Sequence, residues 1–152
     1  MSDDDIKAAL PVLRAALERH WSAWATEKNR PQAATGASMC RYTAVFLVHV
    51  LGWPWQVRGG DPYFEGHQAG FFDGTRWQAH YWVTDGKRVV DLTADQFGAE
   101  ALILTHVDDP RYGDDYSEEE LSDALEHVTA RAANWARDFA LQNPGFLGRA
   151  NR

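Results

Sequence analysis

The chain has 152 residues, 45% hydrophobic and 24% charged, enough apolar material to bury the core of one domain but not of two. Its 22 acidic side chains against 15 Lys plus Arg leave a formal net charge of −7, which speaks against nucleic acid or an anionic membrane surface as the main partner. The single cysteine, Cys40, excludes an internal disulfide framework and a Cys-rich zinc finger. The start, Met1-Ser2-Asp3-Asp4-Asp5, lacks the basic and then apolar pattern of a secretory signal, and no apolar run approaches the roughly 20 residues that span a bilayer, so a cytoplasmic protein is expected.

Ile6, Leu10, Leu13, Leu17, Trp21 and Trp24 recur at steps of four or three, which predicts an amphipathic helix over residues 3–27. The polar stretch Lys28-Asn29-Arg30-Pro31-Gln32 ends it, and Thr35, Gly36 and Ser38 then offer N-caps for a second helix. That helix runs to about Leu51. Apolar on nearly every side from Ala44 onward and stopped by Gly52 with Pro54 beyond, it belongs in the centre of the domain.

From Gly52 to Thr105 the punctuation changes to Gly59-Gly60-Asp61-Pro62, Asp73-Gly74 and Asp85-Gly86, with β-branched and aromatic runs between. Strands are expected over residues 55–58, 76–84, 88–92 and 101–107. The connection from Gly59 to Gly74 carries Tyr63, Phe64, Phe71 and Phe72 and reads as a lid or an extra packed hairpin. Ser117-Glu118-Glu119-Glu120 is a capping box, and Leu121, Leu125, Val128, Ala132, Trp135 and Phe139 follow at helical steps, which predicts one C-terminal helix over 117–142. No repeat, low-complexity tract or long linker interrupts the chain, so residues 1–152 read as a single domain of α+β class.

The chemistry-bearing stretch is the run from Gln78 to Leu92, two strand-like segments joined by Asp85-Gly86. Asp-Gly favours a two-residue hairpin turn with positive φ at both positions. Thr84 then pairs with Lys87 and His80 faces Asp91, their Cβ atoms roughly 5 Å apart on one face, so that the carboxylate accepts the imidazole N–H. Cys40, placed by a Ser38 cap in the first turn of the buried helix, lies where free backbone N–H groups and the helix dipole stabilise a thiolate. Nucleophilic catalysis needs a thiolate, a base that takes and returns its proton, and a group that fixes the base's tautomer; Cys40, His80 and Asp91 supply them in that order.

The Ser38-Met39-Cys40 helix start, the His80-Tyr81-Trp82-Val83 strand and the run Val90-Asp91-Leu92-Thr93-Ala94-Asp95-Gln96-Phe97 resemble the transglutaminase-like branch of the papain-like cysteine peptidase and acyltransferase superfamily, in its small bacterial and phage members. The likeness covers residues 36–107 and leaves the flanking helices aside. It implies a papain-like core, a central Cys-bearing helix packed on an antiparallel sheet that carries the His and Asp on neighbouring strands. Papain-like proteases place an oxyanion-hole Gln six residues before the cysteine; here that position is Ala34, and Gln32 stands near it but out of register.

Seven tryptophans, at 21, 24, 53, 55, 77, 82 and 135, fall mostly at core spacings. Trp53 and Trp55, flanking Pro54, are candidates to wall a substrate groove, together with Trp82 beside His80. Asp95 and Gln96 read as caps of the sheet's exit, with Gln96 close enough to Asp91 to line the cleft. His20, His49, His67, His106 and His127 show no His-x-x-x-His spacing, so neither a metal nor another cofactor is expected. The expected activity is cysteine-dependent acyl transfer on a peptide, protein or small amide substrate, with hydrolysis, side-chain deamidation and amine transfer all open through one thioester intermediate. The alternative is a papain-like scaffold kept as a non-catalytic binding module, its triad a structural remnant.

Overall fold

A computed structural model describes residues 1–31 and 38–146 of the chain. The first helix, α1 (Asp3–Glu27), opens with a capping box in which the Ser2 hydroxyl accepts the Asp5 N–H and the Asp5 carboxylate accepts the Ser2 N–H. Three aspartates in its first turn face the positive end of the helix dipole. Its apolar stripe, Ile6, Leu10, Leu13, Leu17 and Trp21, is buried as the spacing requires. The second helix, α2 (Cys40–Leu51), ends at Gly52, whose φ of 75° suits glycine. Burial of Ala44, Phe46, Leu47 and Leu51 makes it the centre of the main core.

Strands β1 (Gln56–Gly60), β2 (Gly70–Phe72), β3 (Trp77–Gln78), β4 (His80–Thr84), β5 (Arg88–Asp91), β6 (Ile103–His106) and β7 (Tyr112–Gly113) form two antiparallel sheets. The larger has the order β1-β4-β5-β6 and the smaller β3-β2-β7. The strand expected over 76–84 is therefore two strands, parted at Ala79 and belonging to different sheets. The aromatic connection after Gly59 contributes β2, which pairs with β3 as a packed hairpin. A Cβ at Gly70 would collide with the Gln78 carbonyl, so this close pairing requires a glycine there.

The β4–β5 hairpin differs from its expected register by two residues: Val83 lies opposite Val90 and Thr84 opposite Val89. Gly86 alone at this turn has positive φ, 94°, the pattern of a turn that needs it only at its first central residue. Asp85 keeps an ordinary backbone because its carboxylate accepts the Lys87 and Arg88 N–H groups and pairs with the Arg88 guanidinium at 2.7 Å. The turn is centred on Gly86-Lys87 in place of Asp85-Gly86. A shift of two residues, unlike a shift of one, leaves every side chain on its original face.

The C-terminal region is two helices, α3 (Glu118–Leu125) and α4 (Thr129–Gln142), where one is expected from the spacing. The Ser117–Glu120 capping box starts α3 as read. Between the helices Val128 N–H bonds the Leu125 carbonyl, a tight turn that keeps Val128 in the core while the chain changes direction. α3 leans on β1 and α2, and α4 packs along α2, which also covers β4. No helix among the described residues is long and apolar enough to cross a membrane.

Candidate active site

Cys40 is the first residue of α2 and is half-buried. Its N-cap is Met39, which makes no side-chain cap bond; Ser38 lies one residue earlier at φ 66°, in the left-handed region. The expected Ser38 cap is therefore not formed, because a capping side chain must sit on the residue next to the first helical turn. Thr35 and Gly36, the other proposed caps, lie outside the described residues, as do Gln32 and Ala34.

His80 begins β4 and Asp91 ends β5, both with side chains almost wholly out of solvent. Their diagonal placement on one sheet face brings His80 Nε2 to 2.8 Å from Asp91 Oδ2. Asp91 is held by three further donors: the Thr93 N–H at 3.0 Å and hydroxyl at 3.4 Å on Oδ1, and the Tyr112 hydroxyl at 2.9 Å on Oδ2. Three aromatic rings enclose the imidazole. Phe97 and Phe71 meet it edge-on at 5.0 and 5.7 Å between centroids, and Trp82 lies at 6.1 Å.

Burial on its own would push His80 toward the neutral form. The Asp91 carboxylate, by its charge and its hydrogen bond, with a smaller contribution from Cys40, more than reverses this and holds the imidazolium well above the ordinary histidine range. Burial likewise disfavours the Asp91 carboxylate, and the His80 charge with the His80, Thr93 and Tyr112 hydrogen bonds outweighs it, lowering the pKa. With Nε2 given to Asp91, the other ring nitrogen, Nδ1, is buried without a partner of hydrogen-bond geometry among the described residues. Cys40 lies near enough to favour the imidazolium yet does not form a regular bond to Nδ1.

The other candidates are placed elsewhere. Trp55 is buried in the main core under the Arg88 guanidinium, and Trp53, 83% exposed, follows the C-terminal end of α2. The 12 residues of α2 span about 18 Å, so neither tryptophan walls a groove at Cys40. Trp82 does pack by His80, but it is buried. Gln96 donates its side-chain amide to the Thr93 carbonyl at 2.9 Å and so braces the 3-10 turn at Ala94–Phe97 that follows Asp91.

Three further residues shape the site. Tyr112 comes from a two-residue strand after Asp109-Pro110, with no local pattern to mark it. Phe71 sits in the connection read as a lid or hairpin. Arg14 had a signal: it falls four residues after Leu10, on the apolar stripe of α1, where a charge needs a buried partner. It donates to the Leu92 carbonyl and to Asp95 Oδ2, each at 2.8 Å, clamping the run just after Asp91 onto α1.

Among the described residues no group of three or more His, Cys, Asp or Glu side chains could hold a metal ion. His67 instead pairs with Asp115 at 2.8 Å and stacks on Phe64, and His20 stacks on Trp135. Compared with known proteins, the chain matches no family model, no curated sequence and no solved structure.

Proposed function

We propose that the chain is a cysteine-dependent acyl-transfer enzyme with a transglutaminase-like core, acting on an amide bond. The observation that supports this reading is the buried His80–Asp91 pair, whose Nδ1 is without a hydrogen-bond partner among the described residues and whose ring feels the Cys40 thiol as well as Asp91. Cys40 Sγ attacks the carbonyl carbon as the thiolate, its proton already carried on Nδ1 of the His80 imidazolium, and the carbonyl π electrons move to oxygen. Collapse of the tetrahedral adduct breaks the C–N bond, with the proton returned from Nδ1 to the departing amine, and leaves a thioester on Cys40. Water or a second amine then attacks the thioester, His80 takes the incoming proton, and the Cys40 thiolate departs, restoring its pair with the His80 imidazolium. Asp91 keeps Nε2 occupied throughout, so Nδ1 is the nitrogen that works.

The test needs no substrate. Iodoacetamide at pH 6 should alkylate Cys40 at least about tenfold faster than it alkylates glutathione, and His80→Ala should remove the advantage. Alkylation of the wild-type protein at the free-thiol rate would move the chain to the binding-module reading.

A further inference from the structure

Asp91 receives two donors on each oxygen, and the two on Oδ2 are His80 Nε2 at 2.8 Å and the Tyr112 hydroxyl at 2.9 Å. Phenol and imidazole thus compete for one oxygen's charge. We propose that Tyr112 is a positioning residue that sets, through Asp91, the pH at which His80 gives up its proton; the proposal rests on reading His80 as the proton carrier of Cys40.

Tyr112 is held in place from several sides. Its strand pairs with β2 opposite Phe71, and its ring meets Phe71 and Trp82 edge-on at 5.2 and 5.0 Å. The neighbouring Arg111 guanidinium lies over both the Phe71 and Tyr112 rings and is itself fixed by Asp109 at 2.8 Å and Glu100 at 3.0 Å. Burial first, and then the adjacent Asp91 carboxylate, push the phenol's pKa far up, so Tyr112 is a donor at every working pH.

The groups that titrate near His80 are few. α2 presents Cys40, β5 presents Asp91 and β7 presents Tyr112, flanked by the oppositely charged Arg111 and Asp109. β2 and the 3-10 turn bring Phe71 and Phe97, Trp82 comes from β4 itself, and β1 brings Gly60 opposite His80; none of these titrates. A phenol O–H on Oδ2 draws off carboxylate charge that would otherwise hold the imidazolium. It therefore makes His80 a readier acid toward a leaving amine, at some cost to its strength as a base.

The experiment follows the His80 ring by NMR across pH in the wild-type protein, in Tyr112→Phe, and in protein carrying 3-fluorotyrosine at all five tyrosines. Tyr112→Phe should raise the His80 titration by about one pH unit, because the carboxylate regains the charge. Fluorotyrosine, a more acidic phenol and stronger donor, should lower it. A His80 titration that stays put or falls in Tyr112→Phe with a wild-type amide spectrum overturns the proposal. Were the phenylalanine variant not to fold, the fluorotyrosine protein decides alone, and no downward movement there overturns it. A failure of the acyl-transfer reading is seen separately, as unaccelerated alkylation of wild-type Cys40, and leaves the Tyr112 shift measurable.

Discussion

Arg14, on the buried face of the first helix, reaches 81 residues along the chain to bond Asp95 Oδ2 at 2.8 Å, and from its other terminal nitrogen the Leu92 carbonyl at the same distance. Between these anchors lies Thr93, whose N–H holds Asp91 Oδ1. The planar guanidinium, resting against Trp21 at 4.7 Å, thus fixes the backbone that fixes the carboxylate.

Replacing Arg14 by leucine keeps the apolar stripe of α1 but takes a charged donor from a buried carbonyl and from Asp95. Urea unfolding should show a loss of about 2–4 kcal/mol. Arg14→Lys should lose less, since it retains the charge without the span to reach both acceptors. An unchanged unfolding midpoint in Arg14→Leu would show that the clamp is dispensable.

The His80–Asp91 pair makes stability depend on pH in a definite window. His80 has a folded pKa raised above its ordinary 6.5, so its contribution is complete below 6.5 and is lost as pH rises toward the folded value of about 10. Asp91 has a folded pKa lowered from 3.8, so its contribution is complete above 3.8 and is lost as pH falls through the folded value. Asp91→Asn should therefore cost about 3 kcal/mol near pH 5.5 and progressively less toward pH 9. Denaturation curves for both proteins at the two pH values check this; a constant gap would mean that the pair carries no charge.

How this site was legible in the chain, and how it was not, turns on periodicities. His80 and Asp91 share a face because strand side chains alternate with period two, and that parity survives the two-residue shift in register. The displacement itself was hidden, since Asp85-Gly86 and Gly86-Lys87 both make acceptable two-residue turns and the choice fell to the Asp85 side chain, which Arg88 recruits. The break between α3 and α4 carries neither glycine nor proline; tertiary packing of Val128 makes it. Tyr112 reaches Asp91 only because a two-residue strand is laid beside β2, a long-range pairing with no local signature. Trp55 is a core residue for a related reason: nearness in sequence to the end of α2 says nothing about nearness to its start.

The proposed division of labour predicts an order of effects on Cys40 alkylation at pH 6. His80→Ala should slow it by about tenfold or more, because the thiolate loses both proton acceptor and counter-ion. Asp91→Asn should slow it less, since the amide oxygen can still accept the Nε2–H and only the charge is lost. Cys40→Ala should leave no reactive thiol, while changing stability by no more than about 1 kcal/mol, because a small side chain replaces another at a half-buried helix start. Equal rates in wild type, His80→Ala and Asp91→Asn would break the link between the pair and the thiol.

The turn itself yields the last prediction, because it separates register from chemistry. Gly86 sits at φ 94°, a conformation that a β-carbon disfavours, although nothing lies within 4 Å of where that carbon would be. Gly86→Ala should therefore destabilise the protein by about 1 kcal/mol through backbone strain alone, with no steric clash to repair. Asp85→Ala should cost a similar amount by another route, loss of the acceptor for the Lys87 and Arg88 N–H groups and of the Arg88 ion pair. Both substitutions lie at the end of the hairpin away from His80 and Asp91, so Cys40 alkylation should keep its wild-type rate. Amide exchange at Val83 and Val90 reports the pairing directly: protection kept there in both variants would mean that the register is set by the core, and protection lost there that it is set by the turn.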